Sequence, residues 1–306
     1  MTKIFIDGSA GTTGLRIRER LSDRKDIELL TLPEELRKDP AAKKDIINQS
    51  DLTFLCLPDE AARESAGLVE NDHTVIIDTS TAHRTCEDFV YGMPELKGQR
   101  EKIQNAKKIA NPGCHASGFI ALVEPLVTLG LLKDTAKLSC FSLTGYSGGG
   151  KKMIAQYEED GRDRLLDAPR MYALAQSHKH LPEMKLYSHL QFDPVFCPVV
   201  CDFYSGMQVT VPVFKDDLTG SLQDIRDAYQ SYYQSGVIRF AKDAEEGFLS
   251  SLKCEGRDDM AVMAFGNDDR ITLVSRFDNL GKGASGAAIQ NMNIVLGCEE
   301  TAGLEL

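Results

Sequence analysis

The opening run KIFIDGSAGTTGLRIRERL restricts the fold more than any other part of the chain. A short apolar strand runs straight into a turn punctuated by Gly8, Gly11 and Gly14, after which Leu15, Ile17 and Leu21 recur at helical spacing among arginines. Strand, tight turn and helix in that order open a βαβ unit. DIELLTL, DLTFLCLP and HTVIIDTS read as further strands and KKDIINQ as a helix, so the two kinds of element alternate over the first third. That alternation predicts a parallel, doubly wound α/β sheet. From about residue 130 the texture changes to strand-like runs with few helical signals between them: KLSCFSLTGYS, SHLQFDPVFCPVV, SGMQVTVPVF, GFLSSLKCEG, DMAVMAFGN and DRITLVSRFDNL. They predict an antiparallel or mixed sheet. The final GASGAAIQNMNIVLGC has small residues at helical spacing, as a terminal helix packing back on the first domain would.

A chain of 306 residues has room for about two domains. Its formal charge of -11 argues against broad nucleic-acid or anionic-membrane binding, which leaves a small molecule as the expected partner. The N-terminus lacks the apolar core of a signal peptide, and no run approaches the roughly 18 apolar residues of a membrane span. The eight cysteines show neither dense disulfide spacing nor a CxxC pair, and CPVVC reads as a buried strand rather than half of a metal site. Reduced thiols, no metal and a cytoplasmic location are expected.

GxxGxxG directly after the first strand is a variant of the dinucleotide fingerprint, in which backbone must approach a pyrophosphate at a helix N-terminus. Ser9, Thr12 and Thr13 add hydroxyls for phosphate oxygens. About 20 residues further on, the end of the second strand should choose between NAD and NADP. There TLPEELRKD leaves the choice open, since Glu34 or Glu35 suits ribose hydroxyls and Arg37 and Lys38 suit a 2′-phosphate.

NPGCHASG, residues 111 to 118, stands just ahead of the apolar run FIALVEPLVTLGLL. Asn, Pro and Gly suit a turn, so Cys114 falls where a helix begins and unpaired N–H groups favour a thiolate, the form that attacks carbon. Most unpaired cysteines are small core hydrophobes, so Cys114 needs corroboration from the rest of the chain.

Several strings together resemble one family, the shorter subtype of N-acetyl-γ-glutamyl-phosphate reductase. They are DGSAGTTGLRIRERL, FLCLPDEAA, IIDTSTAHR, YGMPEL, NPGC, GYSGGGK, SHKHLPE and KGASGAAIQNMN, and they span nearly the whole chain. NPGC alone is shared with the wider aspartate-semialdehyde dehydrogenase group; its combination with YGMPEL, SHKHLPE and QNMN is more specific. The resemblance implies a Rossmann-like NADP-binding domain (residues 1–113), a mixed α/β, semialdehyde-dehydrogenase-like substrate domain (114–282) and a terminal helix returning to the first (283–306). It implies NADPH-dependent reduction of an acyl phosphate to N-acetylglutamate semialdehyde and inorganic phosphate, in arginine biosynthesis, through a thioester on Cys114. His178 and His180 of SHKHLPE supply a general acid or base near neutral pH. His115 adjoins the nucleophile only in sequence. Arg84 of DTSTAHR suits a carboxylate or phosphate, in competition with a structural salt bridge, and Asn111 suits the intermediate's oxygen or a simple cap. Within GYSGGGK, taken as a flexible loop, Ser147 and Gly148 are the expected cofactor or substrate contacts. Asn291 suits the nicotinamide carboxamide or a packing bond. Apolar sheet surface in the second domain predicts a homodimer or homotetramer. The rival readings are aspartate-semialdehyde dehydrogenase, a nucleotide-binding regulator without chemistry, and, more remotely, a cysteine hydrolase.

Overall fold

The computed structural model describes residues 1–234, 236–242 and 244–306. Its chain divides into two units, residues 1–112 with 284–304 and residues 113–283 with 305–306.

In the first unit the apolar runs have become strands, of which Leu52–Leu55 and Val75–Asp78 are buried on both faces and Ile27–Leu30 only in part. The order along the chain is β1 (Thr2–Asp7), α1 (Thr12–Ser22), β2 (Ile27–Leu30), α2 (Pro40–Gln49), β3 (Leu52–Leu55), α3 (Asp59–Ala66), β4 (Val75–Asp78), β5 (Val90–Tyr91), α4 (Gln99–Gln104) and β6 (Lys108–Ala110). All six strands pair in parallel, in the order β2-β1-β3-β4-β6-β5. Strand order reverses between β1 and β3, and open α/β sheets bind ligands outside the carboxyl ends of their strands at such a point. Ile4, Ile6, Phe54 and Ile77 of the strands pack with Ile17 and Leu21 of α1 in one buried cluster. Ile289 and Met292 of the terminal helix join the same cluster.

The second unit begins with α5 (Cys114–Thr128) and continues with β7 (Ser139–Gly145), α6 (Gly150–Glu158), β8 (Arg170–Met171), α7 (Leu181–Tyr187), β9 (Val195–Cys201) and β10 (Met207–Phe214). It closes with α8 (Leu222–Tyr232), β11 (Ile238–Phe240), β12 (Met260–Asn267) and β13 (Arg270–Phe277), before α9 (Gly286–Val295) returns to the first unit. The seven strands form a mixed sheet, ordered β11-β12-β13-β10-β7-β9-β8. Helix α5 is largely apolar and buried from His115 to Leu126, as expected of a helix at the centre of a core. Gly118 lets it close on the sheet: a Cβ there would lie 2.5 Å from Val209 and 2.7 Å from Ser275. Pro125 within α5 cannot donate to the Ala121 carbonyl, which instead accepts from the Tyr233 hydroxyl at 2.6 Å. The Tyr229 hydroxyl donates to the next carbonyl, that of Leu122, at 2.6 Å.

Three expectations need correction. GFLSSLKCEG is a series of turns with a single bridge, Glu245 to Phe248, because Phe248 and Leu252 point outward rather than alternating into a sheet. Helices α6, α7 and α8 fill stretches that read as having few helical signals; α8 opens on a capping box between Ser221 and Asp224. GYSGGGK is no flexible loop. It is a tight 3-10 turn over Tyr146–Gly149 leading into α6, with Ser147 buried.

Candidate active site

Cys114 is the first residue of α5, behind Gly113 as N-cap, and is half-buried. Gly113 supplies no side-chain cap, so the first-turn N–H groups face the region where the thiol lies. The Gly113 N–H itself donates to Glu183 Oε2 at 3.1 Å, and Glu183 is buried in the first turn of α7. The other carboxylate oxygen, Oε1, lies 4.0 Å from His180 Nε2. His180, also buried, donates its backbone N–H to His178 Nδ1 at 3.2 Å, and the two rings stand edge to face at 4.7 Å. SHKHLPE therefore brings both imidazoles and a carboxylate to the N-terminus of the helix that carries the cysteine.

His115 completes this cluster from the inside. Its ring is 5.5 Å from that of His180 and 6.0 Å from that of His178. Nδ1 is bonded to Ser142 Oγ and Nε2 to the Tyr172 hydroxyl, and burial, reinforced by His178, holds its pKa down at about 3. His115 is a neutral scaffold. Burial and the neighbouring Cys114 push the Tyr172 phenol upward, so it stays a neutral hydrogen-bonding group. Burial also raises the Cys56 thiol to about 12 and the Cys140 thiol further still, which leaves neither as a nucleophile.

Sequence reasoning missed Glu183 and Tyr172. Glu183 stands three residues after His180, in the very motif that supplied the histidines, and a carboxylate behind a histidine was the signal available. Tyr172 had none.

The glycine turn lies in the first unit, at the reversal of strand order. Gly8 has φ +90°, and a Cβ on it would lie 2.2 Å from the Cys56 carbonyl oxygen. A Cβ on Gly14 would come within 2.5 Å of the Gly8 carbonyl oxygen, so both positions require glycine. Gly11 caps α1 without a side-chain bond, and the Thr12 hydroxyl oxygen is buried with no hydrogen-bond partner. Open N–H groups and an orphaned hydroxyl at a helix N-terminus suit an anionic group. A cavity of about 630 Å³ adjoins, lined by Gly8, Ser9, Leu57, Arg18, Arg37 and Lys38. Thr13 continues the first turn of α1. The residues present fit a dinucleotide, with Arg37 and Lys38 offering positive charge at the cavity wall.

Arg84, Asn111, Asn291 and Ser147 make internal bonds. Arg84 is buried and donates from Nε to the Asn111 carbonyl at 2.9 Å and from a terminal nitrogen to the Thr79 carbonyl at 3.1 Å. Asn111 donates its backbone N–H to Asp78 O and its amide to Ala284 O, and accepts at Oδ1 from Asn291 Nδ2. Asn291 Nδ2 also reaches Gly92 O at 2.8 Å, which leaves Asn291 Oδ1 as a buried acceptor without a donor. In the second unit the Ser147 hydroxyl accepts from Asn279 Nδ2, and Gly148 lies 3.4 Å at nearest from a side chain a Cβ would meet, so space does not demand glycine there.

Two family models match the chain: a semialdehyde dehydrogenase NAD binding domain over residues 28–106 and a semialdehyde dehydrogenase dimerisation domain over residues 114–279. N-acetyl-gamma-glutamyl-phosphate reductase of Sinorhizobium medicae is 44% identical over 305 residues, covering 96% of this chain and 98% of the relative. The protein named N-acetyl-gamma-glutamyl-phosphate reductase 2 of a Nostoc species is 44% identical over 318 residues, with 99% of each chain covered. This chain belongs to the N-acetyl-γ-glutamyl-phosphate reductase family. Among solved structures, aspartate semialdehyde dehydrogenase II of Vibrio cholerae superposes with a TM-score of 0.73 at 16% identity, covering 97% of this chain and 98% of that one. The Candida albicans aspartate semialdehyde dehydrogenase, solved with NADP, gives 0.69 at 16% identity, covering 97% of this chain and 98% of that one. At that identity the likeness carries the fold, so this N-acetyl-γ-glutamyl-phosphate reductase family member shares its architecture with the wider semialdehyde dehydrogenase group.

Proposed function

We infer that this protein reduces N-acetyl-γ-glutamyl phosphate to N-acetylglutamate 5-semialdehyde and phosphate with NADPH, as a step of arginine biosynthesis. The observation that carries the reading is Cys114 opening α5 beside His178, His180 and Glu183. Residues 1–113 form the dinucleotide domain and 114–282 the catalytic domain, with 283–306 returning to the first.

The Cys114 thiol gives its proton to the histidine pair, and the first-turn N–H groups of α5 stabilise the thiolate. Sγ then bonds to the acyl carbon, the carbon–oxygen bond to phosphate breaks, and the proton leaves on the phosphate. The same N–H groups face the negative oxygen that develops on the acyl carbon. NADPH, when bound, supplies the hydride that reduces the thioester carbon. The resulting oxyanion, on the carbon bonded to Sγ, collapses: the carbon–sulfur bond breaks, the aldehyde leaves as the Cys114 thiolate re-forms, and a histidine that has taken up a fresh proton from solvent protonates the sulfur. Glu183, by accepting from Gly113 N–H and standing beside His180, positions both ends of this relay.

Gly8, Ser9, Gly11, Thr12, Thr13 and Gly14 hold the pyrophosphate and Arg37 the 2′-phosphate; Ser147, Gly148 and Asn291 Oδ1 are assigned to the nicotinamide end. Arg84, bonded to the Asn111 carbonyl, acts on substrate through the turn it supports. The exposed sheet face around Phe141, Val195 and Phe214 is the surface through which copies pair as a dimer or tetramer. Among the described residues the eight cysteines form no disulfide and no helix is long and apolar enough to cross a membrane; the thiols suit a reducing cytoplasm.

The test is the reverse reaction: NADP reduction with N-acetylglutamate semialdehyde and phosphate, against NAD and against aspartate semialdehyde. The expected outcome is NADP-dependent turnover of the acetylated substrate, almost none with Cys114→Ser. Turnover of aspartate semialdehyde alone would move the protein to the rival dehydrogenase.

A further inference from the structure

The turn after β13 is tied down by one residue. Asp278 is fully buried, and its Oδ1 accepts from the N–H groups of Leu280 and Gly281 at 2.7 and 3.0 Å. Its Oδ2 accepts from Ser205 Oγ at 2.8 Å and from Gly256 N–H at 2.6 Å. Its main-chain carbonyl accepts from Gly281 and Gly283 N–H. A buried carboxylate with both oxygens bonded in this way anchors the turn.

What that anchor holds in place is Gly283. A Cβ on Gly283 would lie 2.9 Å from the Cβ of Cys114 and 3.1 Å from the Asp278 carbonyl oxygen. The backbone of Gly283 is not left-handed, so glycine is demanded by space rather than by conformation. The neighbouring Gly281 is wedged too: a Cβ there would lie 1.9 Å from the Arg257 carbonyl oxygen, so the turn has no room to back away. Next along each segment, Asn111 Nδ2 bonds to Ala284 O, which keeps the chain before Cys114 in register with the chain after Gly283.

We propose that Gly283, clamped by Asp278, is the wall that holds the Cys114 side chain in its reactive rotamer. The claim rests on the reading of Cys114 as nucleophile. A thiol has three staggered wells, and a surface in contact with its Cβ determines which are open. Both are positioning residues. Misplacing a reacting atom by about 1 Å costs about 100-fold in rate, and an added methyl group 2.9 Å from the Cys114 Cβ leaves no room unless one of the two moves.

Gly283→Ala is expected to lower kcat about 100-fold, leaving KM for the acyl phosphate and NADPH binding by fluorescence titration within about twofold. The pH profile of Cys114 alkylation by iodoacetamide should shift, because the thiol leaves the first-turn N–H groups. Asp278→Asn, which removes acceptors but no space, should fall between the two proteins. Gly266→Ala is the matched control: its Cβ meets the Arg270 carbonyl oxygen at 2.2 Å in the β12–β13 hairpin, and it should lose stability while keeping kcat and the alkylation profile. If Gly283→Ala does not fold, the Asp278→Asn alkylation profile decides, an unshifted one refuting the proposal. The idea fails if Gly283→Ala keeps wild-type kcat and alkylation, or if Gly266→Ala loses activity equally. An active Cys114→Ser would instead remove the nucleophile itself, whatever Gly283 does.

Discussion

His115 is a buried, neutral imidazole whose cost of protonation should be measurable as acid lability of the whole second unit. Its pKa in the folded protein is about 3, against 6.5 for a free side chain, with burial the main cause and the His178 charge the lesser one. The folded form thus binds fewer protons than the unfolded form at every pH between those values. A folded pKa depressed below the unfolded one gives stability that is intact above about pH 6.5 and drains away as pH falls towards 3. Each pH step of one below 6.5 removes about 1.4 kcal/mol, so a fall from pH 7 to pH 5 costs about 2 kcal/mol through this residue alone. His115→Gln retains hydrogen-bonding capacity towards Ser142 and Tyr172 but has nothing to titrate. Urea unfolding of both proteins at pH 7 and pH 5 gives the comparison: wild type should lose about 2 kcal/mol more than the variant. Curves that move in parallel would refute the reasoning, as would an imidazole resonance for His115 that titrates near pH 6.5 in the folded protein.

Glu183→Gln keeps the volume but replaces one of the two carboxylate oxygens that face Gly113 N–H and His180 with a donor; kcat should drop about 10- to 100-fold in steady-state assays, since the general acid–base group it positions contributes roughly 10²–10⁴-fold. Gly8→Ala puts a methyl group on a left-handed backbone 2.2 Å from a carbonyl oxygen, and should weaken NADPH binding by at least about 10-fold in a fluorescence titration and lower the unfolding temperature of the first unit, strain and overpacking together costing about 2–4 kcal/mol.

Local chemistry wrote the first unit plainly. Gly8 and Gly14 are glycines because the β1–α1 turn crowds backbone on backbone, and that crowding is the same event that builds a phosphate cradle. The apolar run after NPGC was equally direct, since a helix buried all round needs no polar face to be recognised. The second unit was harder because its signals are tertiary. Ser147 is buried by Asn279, 132 residues away, so GYSGGGK looked like a loop when its glycines serve a tight, anchored turn. Leu249 and Leu252 in GFLSSLKCEG lent a strand-like texture to turns whose bonds are local. The capping box of α8 was present as Ser221 and Asp224 and went unread beside the β-rich texture around it. Arg84 illustrates the limit for sites: an arginine after a strand suggests an anion, and only the folded chain shows that its Nε and one terminal nitrogen also donate to the Asn111 and Thr79 carbonyls.

The proline within α5 has a consequence for how this protein loses activity. Tyr233 and Tyr229 reach from α8 and its end to the carbonyls of Ala121 and Leu122, so the rod that presents the sulfur is riveted midway along its length to the helix packed beside it. Heat has no means of blunting the nucleophile gently. Inactivation and melting of the second unit should trace one curve, with no inactive yet folded species between them.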